Sequence, residues 1–229
     1  FDARQLETTA VLQPDGSYLI DGAKSMVAFG PEARLLLVFA DTGEGGTQAF
    51  LVDSGSAGIS FEAEDYMGLR PLPLYSLTLN NVAVPADSRL GVDLDVRRLV
   101  SLGKIATAAL AVGTCQSVLD YVVPYVNERV AFGEPISNRQ AVAFMVADMP
   151  TELEGLRLMV YRAAAQAEQG ADCTRSAFLA HRNAVKYGMK IGTDGVQLLG
   201  GHGFTREHPV EMWYRNLRAL SVLDGILFA

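Results

Sequence analysis

The sequence predicts an α+β protein in which an antiparallel β barrel or sandwich is followed by a four-helix bundle. Two observations carry this prediction. Up to about residue 90, short apolar or β-branched runs alternate with turn-forming residues, which is typical of antiparallel sheets. From about residue 94 onward, apolar residues recur at the spacing of amphipathic helices. We therefore predict two domains, a β domain over residues 1–91 and a helical domain over residues 92–229.

Five short runs in the first domain are predicted to be β-strands. They are separated by turn signals such as Pro14-Asp15-Gly16 and the glycine-rich stretch at 43–46. Because the runs are short and turns interrupt them regularly, they are expected to form an antiparallel barrel or sandwich. The predicted strands cover residues 7–12, 18–20, 35–39, 49–52 and 77–84.

The first predicted helix is long and runs toward Glu128. Either Asp93 or Asp95 can cap its N-terminus, because a carboxylate accepts a hydrogen bond from the N–H groups that begin a helix. Pro124 is expected to kink the helix, since proline removes one backbone hydrogen bond and clashes with the preceding turn.

Local signals also delimit the next two helices. The second is expected to begin at Ser137, because Ser137 and Gln140 have the S-x-x-Q spacing in which two side chains satisfy free N–H groups reciprocally. Gly170 is expected to end it. Asp172 is then expected to cap a third helix that runs toward Gly200.

The fourth helix is predicted to have Pro209 in its first turn and to end near Gly225. Within it, Glu211 and Arg215 have the i,i+4 spacing of a stabilising ion pair. Trp213 is expected to pack against the rest of the bundle.

Composition and charge exclude several classes of function. The chain is 49% hydrophobic with a formal charge of −7, and it lacks a dense lysine or arginine cluster for binding nucleic acid. Charges such as Arg34 and Asp41 interrupt the strongest apolar stretches before they reach the roughly 18 residues of a membrane span. Cys115 and Cys173 lack metal-ligand spacing and are expected to be buried, reduced thiols. We therefore expect a soluble, cytoplasmic protein.

The last third of the chain carries the clearest functional signal. The adjacent glycines Gly200 and Gly201 allow a backbone to approach a ligand closely. The planar guanidinium of Arg129 can hold a diphosphate through paired hydrogen bonds. Together these features predict a bound nucleotide. The three histidines have no carboxylate or thiolate at ligand spacing, so no metal site is predicted.

These motifs resemble those of the acyl-CoA dehydrogenases, flavoproteins that introduce a double bond beside a CoA thioester. Three motifs resemble those of the family's C-terminal helical domain: Glu128-Arg129-x-x-Phe132-Gly133, Gln197-x-x-Gly200-Gly201-x-Gly203 and Pro209-Val210-Glu211. Two further motifs, Asp21-Gly22-x-Lys24 and Asn81-Val82-x-Val84-Pro85, resemble those of the family's middle β domain. The resemblance covers nearly the whole chain. It implies a further N-terminal helical domain without a counterpart in this sequence, which is expected to be a fragment or N-terminally incomplete.

The resemblance also implies FAD as the cofactor and an acyl-CoA as the substrate. No side chain accepts a hydride, so a flavin must take it, and a carboxylate must remove the acidic α-proton. Asp224 matches the position of that base and is one methylene shorter than the usual glutamate. The alternative for Asp224 is a solvated residue at a helix end. Met26 and Ala28 match an aromatic residue and a hydroxyl residue that contact the flavin ring, so both contacts are lost unless Ser25 or Phe29 takes their place.

A further set of residues matches those that, in this family, hold the cofactor of a neighbouring subunit across a dimer interface. The resemblance therefore implies a homo- or hetero-tetramer, built as a dimer of dimers, that passes electrons to an acceptor flavoprotein. The matching residues are Arg129, Phe132, Gln140, Gln197, Gly200 and Gly201.

Three hypotheses about function remain open from the sequence. In the first hypothesis, the chain is an FAD-dependent acyl-CoA dehydrogenase with Asp224 as its base. Alternatively, it is a non-catalytic subunit that completes the FAD site of a paralogous partner, in an assembly that resembles the heteromeric actinobacterial enzymes acting on steroid side chains. The third hypothesis is an oxidase on the same scaffold that passes electrons to oxygen.

Overall fold

The computed structural model describes residues 6–43, 46–91 and 94–222. These residues divide into two compact units. The first unit contains the β-sheet and comprises the described residues up to Tyr66, together with Arg70–Val100 and Val222. The second unit comprises Met67–Leu69 and Ser101–Ser221 and contains the helices apart from the first turn of the longest one. The predicted α+β fold class, a β part followed by four helices, is confirmed.

Six strands form one mixed sheet in the first unit. They are β1 (Thr9–Leu12), β2 (Tyr18–Ala28), β3 (Leu35–Asp41), β4 (Thr47–Asp53), β5 (Ile59–Glu64) and β6 (Leu74–Val84). Their order across the sheet is β4-β3-β1-β2-β6-β5. Neighbouring strands are antiparallel, except that β1 and β3 run parallel where Thr9 lies opposite Asp41.

Five of these strands correspond to the predicted runs, whereas β5 was missed. Its sequence, Ile-Ser-Phe-Glu-Ala-Glu, contains two glutamates and no apolar run, and its residues are only partly buried or exposed. β5 lies at the edge of the sheet and pairs only with β6. An edge strand needs little apolar surface, so the pattern that identifies buried strands does not reveal it.

The main core of the first unit forms where alternate side chains of the strands point to the same face of the sheet. Its fully buried members include Ile20, Phe50 and Leu77, and the rings of Phe50 and Tyr18 pack edge to face at 5.1 Å. Lys24 is also buried, with 9% of its surface exposed. Burial disfavours its charged form and lowers the pKa of Lys24 to about 8.

A carboxylate fixes the irregular end of β2. The pairing of β2 with β6 shifts just after Lys24, and Met26 in this bulge has a φ of 58°. The Glu64 carboxylate accepts hydrogen bonds from the hydroxyls of Tyr66 and Ser76 and from the backbone N–H of Met26. Burial acts to raise the pKa of Glu64, but these hydrogen bonds outweigh burial and lower it.

Four helices follow the sheet. They are α1 (Val96–Glu128), α2 (Gln140–Glu168), α3 (Thr174–Leu199) and α4 (Val210–Ala219). The Asp95 carboxylate accepts a hydrogen bond from the N–H of Arg98 at 3.0 Å, which confirms it as the cap of α1; the alternative, Asp93, lies outside the described residues. α1 continues as one helix through Pro124.

The expectation that no segment is apolar enough to span a membrane needs correction. By length and composition α1 meets that criterion, because residues 105–119 carry no charge. About 44% of its apolar stretch is buried within the protein. The core helix of a water-soluble protein meets the same criterion, so α1 is only weakly indicative of a membrane span.

Of the three boundaries predicted for the two ends of α2 and the start of α3, two are correct and one is wrong. Ser137 does not cap α2, because it lies in a separate 3-10 turn, Ile136–Asn138, and α2 begins after that turn without a side-chain cap. Gly170 ends α2 as predicted: its φ is 72° and its N–H bonds to the carbonyl of Ala167. Asp172 accepts a hydrogen bond from the N–H of Thr174, the first residue of α3, at 2.9 Å.

The predicted ion pair of the last helix is present. Arg215 lies 2.7 Å from the Glu211 carboxylate, and it also donates a hydrogen bond to the carbonyl of Met67 at 2.7 Å. Pro209 directly precedes α4 instead of lying inside its first turn, and α4 ends at Ala219, earlier than predicted.

Glycines along one side of α3 allow its neighbours in the second unit to pack closely. A Cβ at Gly192 would lie 3.1 Å from the Leu217 side chain of α4, and a Cβ at Gly195 would lie 2.6 Å from the Val118 side chain of α1. Val118 is fully buried and β-branched, so it has little freedom to move aside. The absence of a side chain at Gly195 therefore sets how closely α1 and α3 approach.

We predict that Gly195→Ala destabilises the protein, although alanine favours helices. Overpacking of a tight core contact costs about 1–3 kcal/mol. Gly113→Ala is the matched control, because Gly113 also lies within a helix but a Cβ there would meet no atom within 4 Å; it is expected to raise the free energy of unfolding by up to about 1 kcal/mol. Chemical denaturation of both variants measures the difference, and equal effects would contradict this account of the helix contact.

We also predict that Glu64 makes stability depend on pH. The pKa of Glu64 is lower in the folded chain than the ordinary value of 4.5, so its contribution is present above that value and is lost as the pH falls through the lower, folded-state pKa. Glu64→Gln is expected to lower the free energy of unfolding by about 1–2 kcal/mol near neutral pH, with a smaller difference below pH 4.5. Glu62→Gln, an exposed carboxylate on the same strand, is the control. A pH-independent difference for Glu64→Gln would contradict the prediction.

Candidate functional site

A cavity of about 340 Å³ lies in the second unit, beside the C-terminal ends of α1 and α3. Four of the residues predicted to bind a cofactor line it, although α2 and most of α3 lie between Arg129 and the other three in the sequence. The packing of the two helices therefore brings Arg129 to the glycine pair. The lining residues are Tyr125, Arg129, Ile136, Gln197, Leu198, Leu199, Gly200, Gly201 and His202.

Arg129 supplies the positive charge of this cavity. It directly follows α1, and its backbone is held by hydrogen bonds from its N–H to the carbonyl of Tyr125 and from the N–H of Ile136 to its own carbonyl, both at 2.9 Å. Its side chain is exposed and forms no hydrogen bond or ion pair with another described residue. The guanidinium is therefore free to bind an anionic ligand in the cavity.

The glycine turn after α3 gives the cavity an open backbone wall. Gly200 has a φ of 56° and a ψ of −132°, a conformation that side chains disfavour. A Cβ at Gly200 or Gly201 would meet no atom within 4 Å, so the space beside both residues is open to a ligand. Gly203 has a different role, because a Cβ there would lie 2.2 Å from the carbonyl oxygen of Val196.

Two of the six residues predicted to hold a neighbouring subunit's cofactor, Phe132 and Gln140, do not line the cavity. Phe132 and Gly133 form the turn of a two-stranded hairpin, β7 (Val130–Ala131) and β8 (Glu134–Pro135), with φ values of 55° and 86°. The ring of Phe132 is 95% exposed, and the guanidinium of Arg139 lies 5.3 Å from its centre. Gln140 begins α2 and is also exposed.

A polar aromatic cluster that was not predicted from the sequence lies next to the cavity. The hydroxyl of Tyr125 lies 3.0 Å from Nδ1 of His202, and the hydroxyl of Tyr121 lies 2.7 Å from Nδ1 of His208. The two imidazole rings are stacked with centres 5.2 Å apart, and Trp213 packs edge to face against Tyr121 at 5.8 Å. The i,i+4 spacing of the two tyrosines on α1 was the signal available in the sequence.

The remaining predicted site residues lie elsewhere. Met26 and Ala28 are partly buried residues of β2 in the first unit. Asp224, the expected base, lies outside the described residues.

Metal and thiol chemistry have no support in the described part of the chain. Within residues 6–43, 46–91 and 94–222, no group of three or more His, Cys, Asp or Glu side chains is arranged to hold a metal ion. Cys115 and Cys173 are buried and not disulfide-bonded. Burial raises the pKa of the Cys115 thiol to about 12, so this cysteine is a poor nucleophile.

Comparisons with known proteins show which family this chain resembles. The family model described as "Acyl-CoA dehydrogenase, C-terminal domain" matches residues 91–226, and the one described as "Acyl-CoA dehydrogenase, middle domain" matches residues 1–82. An acyl-CoA dehydrogenase of Bacillus subtilis is 33% identical over 98% of this chain, which corresponds to 61% of the relative. The chain thus spans about three-fifths of the length of the curated relatives that it matches.

Solved structures show the same similarity. Butyryl-CoA dehydrogenase from Megasphaera elsdenii has a TM-score of 0.88 at 32% identity, covering 96% of this chain and 60% of that one. A structure described as an FAD-dependent dehydrogenase has a TM-score of 0.88 at 28% identity, covering 98% of this chain and 62% of that one. The match of both family models over nearly all of the chain shows that it belongs to the acyl-CoA dehydrogenase family.

Proposed function

We propose that this chain is part of an FAD-dependent acyl-CoA dehydrogenase, which forms a double bond between the α and β carbons of an acyl-CoA thioester. The observation that carries the proposal is the cavity in which Arg129, Gln197 and the adjacent glycines Gly200 and Gly201 meet. Family membership supports the reaction class. The similarity to an FAD-dependent dehydrogenase supports the cofactor.

The residues of the cavity fit the diphosphate of FAD. Arg129 has no competing partner among the described residues and can form paired hydrogen bonds to phosphate oxygens. The open space beside Gly200 and Gly201 lets the ligand approach the backbone within contact distance. Gln197 is exposed at the same wall and can donate a hydrogen bond from its amide.

The reaction needs one acceptor for a hydride and one for a proton. When bound, FAD supplies the acceptor for the hydride from the β-carbon. We assign Asp224 as the base that takes the α-proton onto its carboxylate, on the basis of its position in the sequence. Its side chain is shorter than glutamate by one methylene, so the backbone must bring it correspondingly closer to the substrate.

The proposal includes an oligomer with shared flavin sites. We propose that the Arg129 cavity binds the FAD of a neighbouring subunit in a homo- or hetero-tetramer, with Phe132 and Gln140 contributing from the exposed surface beside α2. Two electrons must leave the enzyme after each turnover, so an acceptor flavoprotein is part of the proposal. We further propose a cytoplasmic location, which the two free, buried cysteines support.

Flavin content is the first test of this function. The purified chain is expected to contain about one FAD per subunit, and Arg129→Gln is expected to weaken FAD affinity roughly tenfold to a hundredfold, because it removes charge-assisted hydrogen bonds to phosphate. Arg162→Gln, which alters an exposed arginine on α2, is the matched control. Absorbance and fluorescence titrations measure both quantities.

The same measurement separates the proposal from its alternative. Full occupancy in a homo-oligomer supports an enzyme that builds its own sites. Half occupancy that requires a paralogous partner would instead identify this chain as a subunit that completes the partner's site. Failure to bind flavin under either condition would refute the proposed function.

A second test concerns the base. Asp224→Asn retains the shape of the side chain but cannot accept the α-proton, so we expect the rate of acyl-CoA dehydrogenation to fall by about 10²–10⁴-fold. The flavin content is expected to stay at the wild-type level. Stopped-flow bleaching of the flavin by substrate measures the chemical step directly. An unchanged rate would remove Asp224 from the mechanism.

A further inference from the structure

The cavity beside Arg129 presents an electrostatic problem for a phosphate ligand. Phosphates commonly bind at helix N-termini, where the helix dipole is positive. This cavity instead lies beside the C-terminal ends of α1 and α3, where the dipole is negative. Arg129 is the only residue among those lining the cavity that carries a formal positive charge. A second hydrogen-bond donor toward the phosphate would offset the unfavourable helix ends.

His202 is placed to supply that donor. It lines the cavity directly beside the glycine pair, and its ring is half-buried. The carbonyl of His202 accepts hydrogen bonds from the N–H and the hydroxyl of Thr205, at 3.2 Å and 3.0 Å. These bonds fix the backbone from which the imidazole projects.

The hydroxyl of Tyr125 contacts Nδ1 of His202 and thereby leaves Nε2 for a ligand. That hydroxyl lies 3.0 Å from Nδ1 of His202 and 3.4 Å from the carbonyl oxygen of Leu199. A hydroxyl carries one proton, so it donates to only one of these two atoms at a time. When the hydroxyl donates its proton to Nδ1, the proton of the neutral imidazole must lie on Nε2. Nε2 has no partner among the described residues, so it is available to a ligand.

A second imidazole holds the first in place. The ring of His208 stacks on that of His202 at 5.2 Å, with an angle of 16° between the planes. Nδ1 of His208 is in turn bonded to the Tyr121 hydroxyl. The His202 ring is thus held by a hydrogen bond at one edge and by stacking on one face, which leaves Nε2 as its free polar atom.

We propose that His202 is a further binding residue for the diphosphate of FAD, donating a hydrogen bond from Nε2, and that Tyr125 is its positioning residue. This inference rests on the proposed function, since it assumes that the cavity binds the phosphate part of the cofactor. His202 and Arg129 then contact the diphosphate from the segments that directly follow α3 and α1, respectively.

Two substitutions at one position test the donor. His202→Phe keeps an aromatic ring for stacking on His208 but removes Nε2, whereas His202→Gln places an amide N–H at a similar reach. FAD is titrated into the flavin-free full chain, and binding is followed by flavin fluorescence. We expect FAD affinity to fall about tenfold in His202→Phe, the loss expected for one hydrogen bond to a charged group, and to stay within about threefold of wild type in His202→Gln.

Nucleotide fragments identify the part of FAD that His202 contacts. ADP is expected to show the same loss in His202→Phe as FAD, whereas adenosine, which lacks phosphate, is expected to bind wild type and variant equally. Tyr125→Phe keeps the tyrosine ring but removes the hydroxyl, and we expect it to weaken ADP binding by about threefold without changing adenosine binding. If His202→Phe fails to fold, the Tyr125→Phe comparison decides the question alone.

The outcomes distinguish this inference from the function on which it rests. Equal FAD affinities for wild type and His202→Phe, with a loss in Arg129→Gln, would overturn the role of His202 and leave the proposed function intact. If His202→Phe weakens the binding of ADP and of adenosine equally, His202 has only a structural role. Absence of FAD binding by the wild-type chain would overturn both.

Discussion

The close approach of α1 and α3 at Gly195 is the constraint on which the functional cavity depends. Val118 of α1 occupies the space that a side chain at Gly195 would need. Because helices are stiff, this contact fixes where the two helix ends lie further along the chain. Tyr125 of α1 and Arg129, which directly follows α1, therefore meet the Gly200 turn that ends α3. The position of the cavity is therefore a consequence of packing in the helical unit.

The position of the cavity beside two helix C-termini explains why its lining needs added hydrogen-bond donors. Two helix C-termini present carbonyl oxygens and a negative dipole, which disfavour an anion. The chain as a whole is also acidic, with a formal charge of −7. Binding of a diphosphate therefore requires donors that the helices themselves do not provide. Arg129 supplies charge, and the exposed backbone at Gly200 and Gly201 supplies close approach.

The sequence predicted features that depend on neighbouring residues and missed those that depend on distant ones. Asp95 and Gly170 act within one helical turn, so their roles as cap and stop were readable from local patterns. Ser137 had the correct local spacing but lost its role because a preceding 3-10 turn moved the start of α2. The bond from Tyr125 to His202 joins residues 77 positions apart, and no local pattern encodes it. Likewise, Phe132 and Arg129 share one motif, yet the hairpin turn directs Phe132 away from the cavity lining.

The β unit gives a physical reason why position 26 can accept different side chains. Met26 has a positive φ, which is costly for a residue with a side chain and persists only where the surroundings enforce it. Its N–H is held by the Glu64 carboxylate, which the hydroxyls of Tyr66 and Ser76 hold in turn. The path of β2 through the bulge is therefore set by the hydrogen bond from the N–H of Met26 to the Glu64 carboxylate of β5. Because the side chain of Met26 takes no part in that hydrogen bond, a different side chain at position 26 leaves the path of the strand unchanged.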